Sequence, residues 1–176
     1  YQIGIEDAAP VIAKFYRPDR WSDAAILEEH AFVQELATQE IPVVSPLLFN
    51  QQTLHTFNGF RFAVYPRQSG RAPELDDANS LEWIGRFMGR IHAVGALKPF
   101  VERPALDIDS FGVEPREYLL ANHFIPADLL DAWQSVSAQA LDSVRRCYQR
   151  AGEVKILRLH GDCHAGREPA GGARRH

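Results

Sequence analysis

The chain has 176 residues, of which 45% are hydrophobic and 24% charged, and its formal net charge is −4. These proportions are typical of a globular protein, and the lack of a broad positive charge excludes a general nucleic-acid-binding surface. Two cysteines are too few for a disulfide framework, which favours a cytoplasmic protein, and no apolar run approaches the roughly 20 residues that a membrane span needs.

The N-terminal third of the chain has the pattern of short strands around one helix. Runs that alternate apolar and polar residues, or that are apolar throughout, predict strands. Ser22 is a good N-cap, so we predict a helix over 22–39. Asn58-Gly59 lies between two strand-like runs and predicts a tight hairpin. The predicted strands are 1–5, 11–16, 53–57 and 60–65.

Beyond a loop at 66–73 that contains proline and glycine, the pattern becomes helical. Apolar residues recur at helical spacing along 77–95 and 128–150, and a shorter helix is predicted over 114–122. An apolar run at 154–159 predicts a last strand. The side chains predicted to be buried along the longest helix are Leu129, Trp133, Val136, Ala140, Val144 and Cys147.

This separation of strands from helices predicts an α+β fold with two lobes. We expect residues 1–66 to form a partial N-lobe, an antiparallel sheet with one helix, and residues 67–166 to form a partial helical C-lobe. The last ten residues, 167–176, differ in composition, since Gly, Ala and Arg make up seven of them. We interpret them as a non-native tail.

Lys14 is the first candidate functional residue, because it stands in an apolar strand where a charged side chain needs a partner. The alternative is a lysine that points to water from an edge strand. The helix 22–39 offers Glu28 and Glu29 as partners. Glu29 shares the stripe of Phe32, which should face the sheet, whereas Glu28 lies about 100° around the helix. We therefore choose Glu29 over Glu28, although either could simply belong to a solvated face.

The most informative stretch is His160-Gly161-Asp162-Cys163-His164, directly after the apolar run. Asp162 could accept a proton from an attacking hydroxyl, and His160 is expected to brace the loop by hydrogen bonding. If the backbone is extended here, His160, Asp162 and His164 point to one side and could instead hold a zinc ion. Cys163 is expected to be a buried or half-buried thiol. The alternative without function is a strand end with incidental polar residues.

Five segments of the chain together carry a family resemblance. They are Lys14-Phe15-Tyr16-Arg17-Pro18, Ile26-Leu27-Glu28-Glu29-His30, Ile41-Pro42-Val43, the run from Gly59 to Pro66 and the run from Leu157 to Gly166. On these segments the sequence resembles the bacterial stress response kinase A family, over residues 1–166. Members of that family look like aminoglycoside and choline kinases in fold. They are described as ATP- and magnesium-dependent Ser/Thr protein kinases of the cytoplasm.

The resemblance implies a phosphotransferase that moves the γ-phosphoryl group of ATP to a hydroxyl, with Mg²⁺ as the metal. It implies that Lys14 and Glu29 form the pair that holds the nucleotide. It implies that the segment around Val64 and Tyr65 meets adenine, and that Asp162 is the catalytic base. The partners it implies are a nucleotide and a protein with a Ser or Thr acceptor, and the family is expected to be monomeric.

The chain departs from the family pattern at both ends. The loop that covers the phosphates would precede Tyr1, the metal-binding Asn after Gly166 is replaced by Arg167, and an Asp-x-Asp segment would follow His176. We therefore expect a fragment truncated at both ends, without its metal ligands and inactive or nearly so. Uncovered apolar helix faces are expected to make such a fragment self-associate.

Three other functions stay open on the sequence alone. His164 stands two residues after Asp162, where protein kinases often carry Lys, which favours a small-molecule kinase of the aminoglycoside or choline type. A metal-dependent hydrolase would use His160, Asp162 and His164. The last alternative is a non-catalytic binding or scaffold fragment.

Overall fold

The structure is a computed structural model that describes residues 1–70 and 73–163. It falls into two compact units: Tyr1–Glu102 together with the described residues from Leu157 on, and Arg103–Ile156. None of the helices in these described ranges is both long and apolar enough to cross a membrane. The predicted lobe boundary at residue 66 stays a prediction. The predicted tail, 167–176, lies outside the described residues.

The first unit contains a four-stranded antiparallel sheet in the order β1-β2-β4-β3. At the hairpin between β3 and β4, Asn58 and Gly59 have φ angles of 47° and 79°. A tight hairpin turn needs such left-handed angles, and these two residue types adopt them most readily. The four strands predicted from the sequence are therefore present. They are β1 (Gln2–Ile5), β2 (Ala8–Phe15), β3 (His55–Phe57) and β4 (Phe60–Pro66).

Two helices, α1 (Asp23–Thr38) and α2 (Ala78–Gly95), complete this unit. Helix α1 begins at the predicted cap, because the Ser22 hydroxyl accepts a hydrogen bond from the Ala25 N–H at 3.1 Å. One core cluster lies between the helices and another between α1 and the sheet. The first consists of Phe32, Leu36, Ile41, Ile91 and Val94, and the second of Tyr16, Ile26 and Ala63.

The second unit is helical. A π-helical turn, Asp109–Val113, runs into α3 (Glu114–Ala121), and α4 (Leu130–Ala151) follows. Helix α4 ends at Gly152, whose φ of 68° is left-handed, as expected for a glycine that stops a helix. The two helices predicted in this region are therefore present, within a few residues of their predicted bounds.

The predicted buried side of α4 is wrong at five of its six positions, which are exposed. Val136 is 66% exposed, and Cys147 is exposed as well. The half-buried side instead contacts Arg116 of α3, whose guanidinium donates to the Ser137 hydroxyl at 2.9 Å and to the carbonyl of Gln134 at 3.3 Å. Both stripes have helical spacing, so periodicity could not choose between them. The half-buried side consists of Leu130, Trp133, Gln134, Ser137, Ala138 and Leu141.

The strand predicted at 154–159 does not form. Its residues have no regular structure, and the Arg158 N–H donates instead to the carbonyl of Gly95 at 3.2 Å. A strand requires another strand beside it, whereas the backbone of Arg158 is bonded to the end of helix α2. Large apolar side chains such as Ile156 and Trp83 are 78% and 72% exposed. Self-association stays a prediction.

Candidate active site

Lys14 and Glu29 form an ion pair, with 2.8 Å between Nζ and Oε1. Strand β2 places Lys14 opposite Ala63 of β4, and helix α1 carries Glu29. The Lys14 ammonium also lies 5.0 Å from the centre of the Tyr16 ring, on the same strand face two residues later. The two paired side chains are 45% and 30% exposed, so an anion in solvent can reach the ammonium.

The neighbouring Glu28 has a different role. Its carboxylate accepts hydrogen bonds from the backbone N–H groups of Val101 and Glu102, at 2.6 and 3.0 Å. Glu28 therefore holds the segment that follows helix α2, while Glu29 reaches the sheet. The structure thus pairs Lys14 with Glu29, the partner chosen from the sequence. The expectation that Phe32 faces the sheet is wrong, because Phe32 packs in the cluster between α1 and α2.

His30 is a buried residue of this site that the sequence did not single out. Its ring is 1% exposed, and its two nitrogens lie 2.7 Å from the Tyr16 hydroxyl and 2.8 Å from the Thr53 hydroxyl. The Tyr65 hydroxyl is 3.4 Å from the same ring nitrogen as Tyr16. The ring therefore ties α1 to β2 and β4 directly beside Glu29. Its spacing from Ile26, one helical turn earlier, was the available signal.

The histidine gives the fold a predicted pH dependence. Burial lowers the pKa of His30 below its ordinary value of 6.5; the charge of Glu29 opposes this, and the charge of Lys14 adds to it. Below pH 6.5 the unfolded chain therefore binds a proton that the folded chain does not. We expect the free energy of unfolding to have its full value above that pH. It should decline as the pH falls from 6.5 toward the lower pKa that His30 has in the folded chain.

Urea unfolding at pH 7.5 and at pH 5.5 measures this effect. The decline should be smaller in His30→Gln, whereas His123→Asn, a change at an exposed histidine, should keep it. An undiminished decline in His30→Gln would show that other groups cause it.

Val64 and Tyr65, the residues predicted to meet adenine, lie near the end of β4. They pair with Ala13 and Ile12 of β2. The carbonyl of Val64 accepts a hydrogen bond from the Leu47 N–H at 2.7 Å. The chain itself thus engages the Val64 carbonyl and the Tyr65 hydroxyl. Directly after the strand, residues 67–70 are exposed and have no regular structure.

The stretch around Asp162 forms an exposed turn rather than an extended segment. Gly161 has a φ of 81°, which interrupts the alternation of side chains that we expected. The Asp162 N–H donates to Nδ1 of His160 at 3.3 Å, so His160 braces this turn. Cys163 is exposed, like the other residues of 159–162, so the expectation of a buried or half-buried thiol is wrong. His164 and Arg167 lie outside the described residues.

Within residues 1–70 and 73–163, no three His, Cys, Asp or Glu side chains come together in a way that could hold a metal ion. The proposed zinc trio includes His164, which is outside these ranges.

Comparison with known proteins gives a consistent result. Residues 1–166 match the family described as APH, phosphotransferase enzyme family. Stress response kinase A of Escherichia coli (strain K12) is 39% identical over 166 residues, and the serine/threonine protein kinase RdoA of Salmonella typhimurium is 40% identical over the same length. Both alignments cover 94% of this chain and 50% of the relative. The chain therefore spans about half the length of the curated relatives it matches, and the family resemblance is confirmed.

A solved structure of amicoumacin kinase hAmiN, in complex with AMP-PNP, Ca2+ and Ami, has a TM-score of 0.67 to this chain. The two sequences are 20% identical, and the match covers 88% of this chain and 46% of the other. At that identity the likeness concerns the fold alone. The predicted α+β fold of the aminoglycoside phosphotransferase type is thereby confirmed.

Proposed function

This chain belongs to the phosphotransferase enzyme family, and from that premise we propose that it forms the nucleotide-binding side of an ATP-dependent kinase. The whole protein would transfer the γ-phosphoryl group of ATP to the hydroxyl of a Ser or Thr residue in the cytoplasm. The observation that carries this proposal is the ion pair between Lys14 and Glu29. Their contact joins strand β2 to helix α1, and both side chains are partly exposed to solvent.

Lys14 has the chemistry that phosphate binding requires. An ammonium group has three hydrogen-bond donors, and the described contacts of Lys14 commit one of them to Glu29. Glu29 and the Tyr16 ring together hold the charge in one place. Phosphoryl transfer depends chiefly on such positioning and charge neutralisation. Lys14 would thus orient the phosphates, and Glu29 would orient Lys14.

Adenine would bind beside the end of β4. Because the Val64 carbonyl already has a partner in Leu47 and Tyr65 is paired with Ile12 of β2, the backbone contacts to adenine would come from the exposed residues just after β4. The solved relative contains AMP-PNP and Ca2+, which supports a nucleotide and a divalent cation as ligands of this fold.

Asp162 would accept the proton of the attacking hydroxyl. The turn that His160 braces would hold the Asp162 carboxylate in place. Magnesium normally neutralises charge on the transferred phosphoryl group. The position after Gly166, where the family carries a metal-binding Asn, is occupied by Arg167, whose positive charge cannot serve as a ligand. We therefore expect little or no ATP turnover by this chain alone.

The acceptor is assigned to proteins because the relatives at 39–40% identity are named stress response kinase A and serine/threonine protein kinase. A small-molecule acceptor is the second candidate. It is favoured by His164, which stands two residues after Asp162, where protein kinases often carry Lys.

Two neighbouring glutamates provide the experiment that tests this function. Glu29→Gln should weaken MgATP binding about tenfold, because the lost charge no longer fixes the ammonium. Glu28→Gln, the matched control, should leave the affinity within about twofold, since Glu28 accepts hydrogen bonds from the backbone of Val101 and Glu102, and Lys14 pairs with Glu29. Calorimetric titration measures both, and an ATP hydrolysis assay of the same samples checks the expected lack of turnover. Equal affinities in the two variants would contradict the proposed role of Glu29.

A further inference from the structure

Arg158 is a buried charged side chain that takes no part in the proposed binding of phosphate by Lys14 and Glu29. It lies four residues before Asp162, and its side chain is 3% exposed. One terminal nitrogen of its guanidinium is 2.8 Å from a carboxylate oxygen of Glu35, and the other donates to the carbonyl of Val94 at 3.1 Å. The group also stacks over the Phe32 ring, 4.3 Å from its centre. A charge so deep in the protein requires such partners.

The backbone of the same residue is held as closely. The Arg158 N–H donates to the Gly95 carbonyl at 3.2 Å. A β-carbon on Gly95 would overlap the carbonyl oxygen of Arg158, so only glycine permits this approach. The segment that leads into the turn at Asp162 is therefore anchored at Arg158. The backbone of Arg158 is bonded to the end of α2, and its side chain is paired with α1.

Glu35 lies on the helix that carries Glu29. The two residues are six positions apart, which is about 9 Å along a helix. Glu35 also pairs with Lys98 through its other oxygen. Partial burial works to raise the pKa of Glu35, but hydrogen bonds from Lys98 and Arg158 outweigh it and hold the pKa below its ordinary value. Glu35 therefore favours its charged form beside the guanidinium.

We propose that Arg158 is a positioning residue that couples the Asp162 turn to helix α1, so that the turn and the Lys14–Glu29 pair are placed together. The catalytic role of the Asp162 turn and the nucleotide-binding role of the Lys14–Glu29 pair rest on the function proposed above. The coupling between them rests on the contacts of Arg158 alone. Helix α1 would transmit a shift at Glu29 to the turn, because Glu35 and the guanidinium move as one ion pair.

The test measures hydrogen exchange by NMR at the backbone amides of Arg158 and Asp162. Glu35→Gln changes no atom of the segment that contains them. We expect exchange at both amides to be about tenfold faster in Glu35→Gln. Lys98→Met, which removes the other partner of the same carboxylate, should leave both rates within about twofold. Arg158→Lys keeps the charge without the planar fork and should give intermediate rates.

If both amides in Glu35→Gln exchange as slowly as in the unaltered chain, the coupling is refuted. Equal acceleration in Lys98→Met would refute it too, because the effect would then reflect general loosening of α1. MgATP supplies a second measurement: it should slow exchange at the Asp162 amide in the unaltered chain but not in Glu35→Gln. A failure of MgATP to bind at all would count against the proposed function, and the ligand-free rates would still decide on the coupling.

Discussion

Replacing Gly95 with alanine is expected to lower the free energy of unfolding by about 3 kcal/mol. The new β-carbon would overlap the carbonyl oxygen of Arg158 and lie 3.2 Å from its carbonyl carbon. Both obstructing atoms belong to the backbone, so no side-chain rotation can relieve the clash. Either the end of α2 or the segment before Asp162 must move, and the hydrogen bond between the two is then lost.

The same helix offers a matched control. A β-carbon on Gly89 would have no atom within 4 Å, and Gly89 lies in the helix interior. Gly89→Ala should therefore stabilise the chain by about 0.5–1 kcal/mol, the usual gain for alanine over glycine in a helix. Urea unfolding of both variants gives the comparison. Equal stabilities would mean that the Gly95–Arg158 approach is not as close as described.

Replacing Lys14 with alanine is expected to weaken MgATP binding about ten- to hundredfold. The estimate assumes the loss of one charged hydrogen bond to phosphate, about 1.5–3 kcal/mol. The fold itself should be little affected, because an exposed ion pair contributes only about 0–1 kcal/mol to stability. The Lys14 side chain is 45% exposed, so its ion pair belongs to that class. A loss of affinity without a loss of stability is therefore the expected signature.

Lys155→Ala is the control for charge alone, since Lys155 is an exposed lysine in a segment without regular structure. Its affinity for MgATP should stay within about twofold of that of the unaltered chain. Calorimetric titration measures the affinities, and urea unfolding checks that each variant is folded. If Lys14→Ala and Lys155→Ala lose affinity equally, Lys14 has no specific place in a phosphate site.

Local chemistry explains which features could be predicted from the sequence. Ser22 caps its own helix, and Asn58-Gly59 forms its own turn, so neither depends on distant residues. The contact of Glu29 with Lys14 was chosen correctly, but from a premise that is wrong: Phe32, whose stripe was expected to face the sheet, packs between the two helices instead.

The features that could not be predicted depend on residues far apart in the chain. Arg158 stands between two leucines and looks like the exposed member of a strand, but Glu35 and Val94 bury it. His30 shares a helical stripe with the buried Ile26, but the hydroxyls of Tyr16 and Thr53 that contact its ring come from distant segments and could not be inferred. In both cases the partners that decide the role of the side chain are remote in the sequence.

Titration of the unaltered chain with MgATP tests the central claim most directly, because every role proposed for Lys14, Glu29 and Asp162 requires a nucleotide. We expect saturable binding of one MgATP per chain, to a preparation that melts cooperatively. A folded chain that shows no saturable binding of MgATP would contradict the account and favour a non-catalytic fragment.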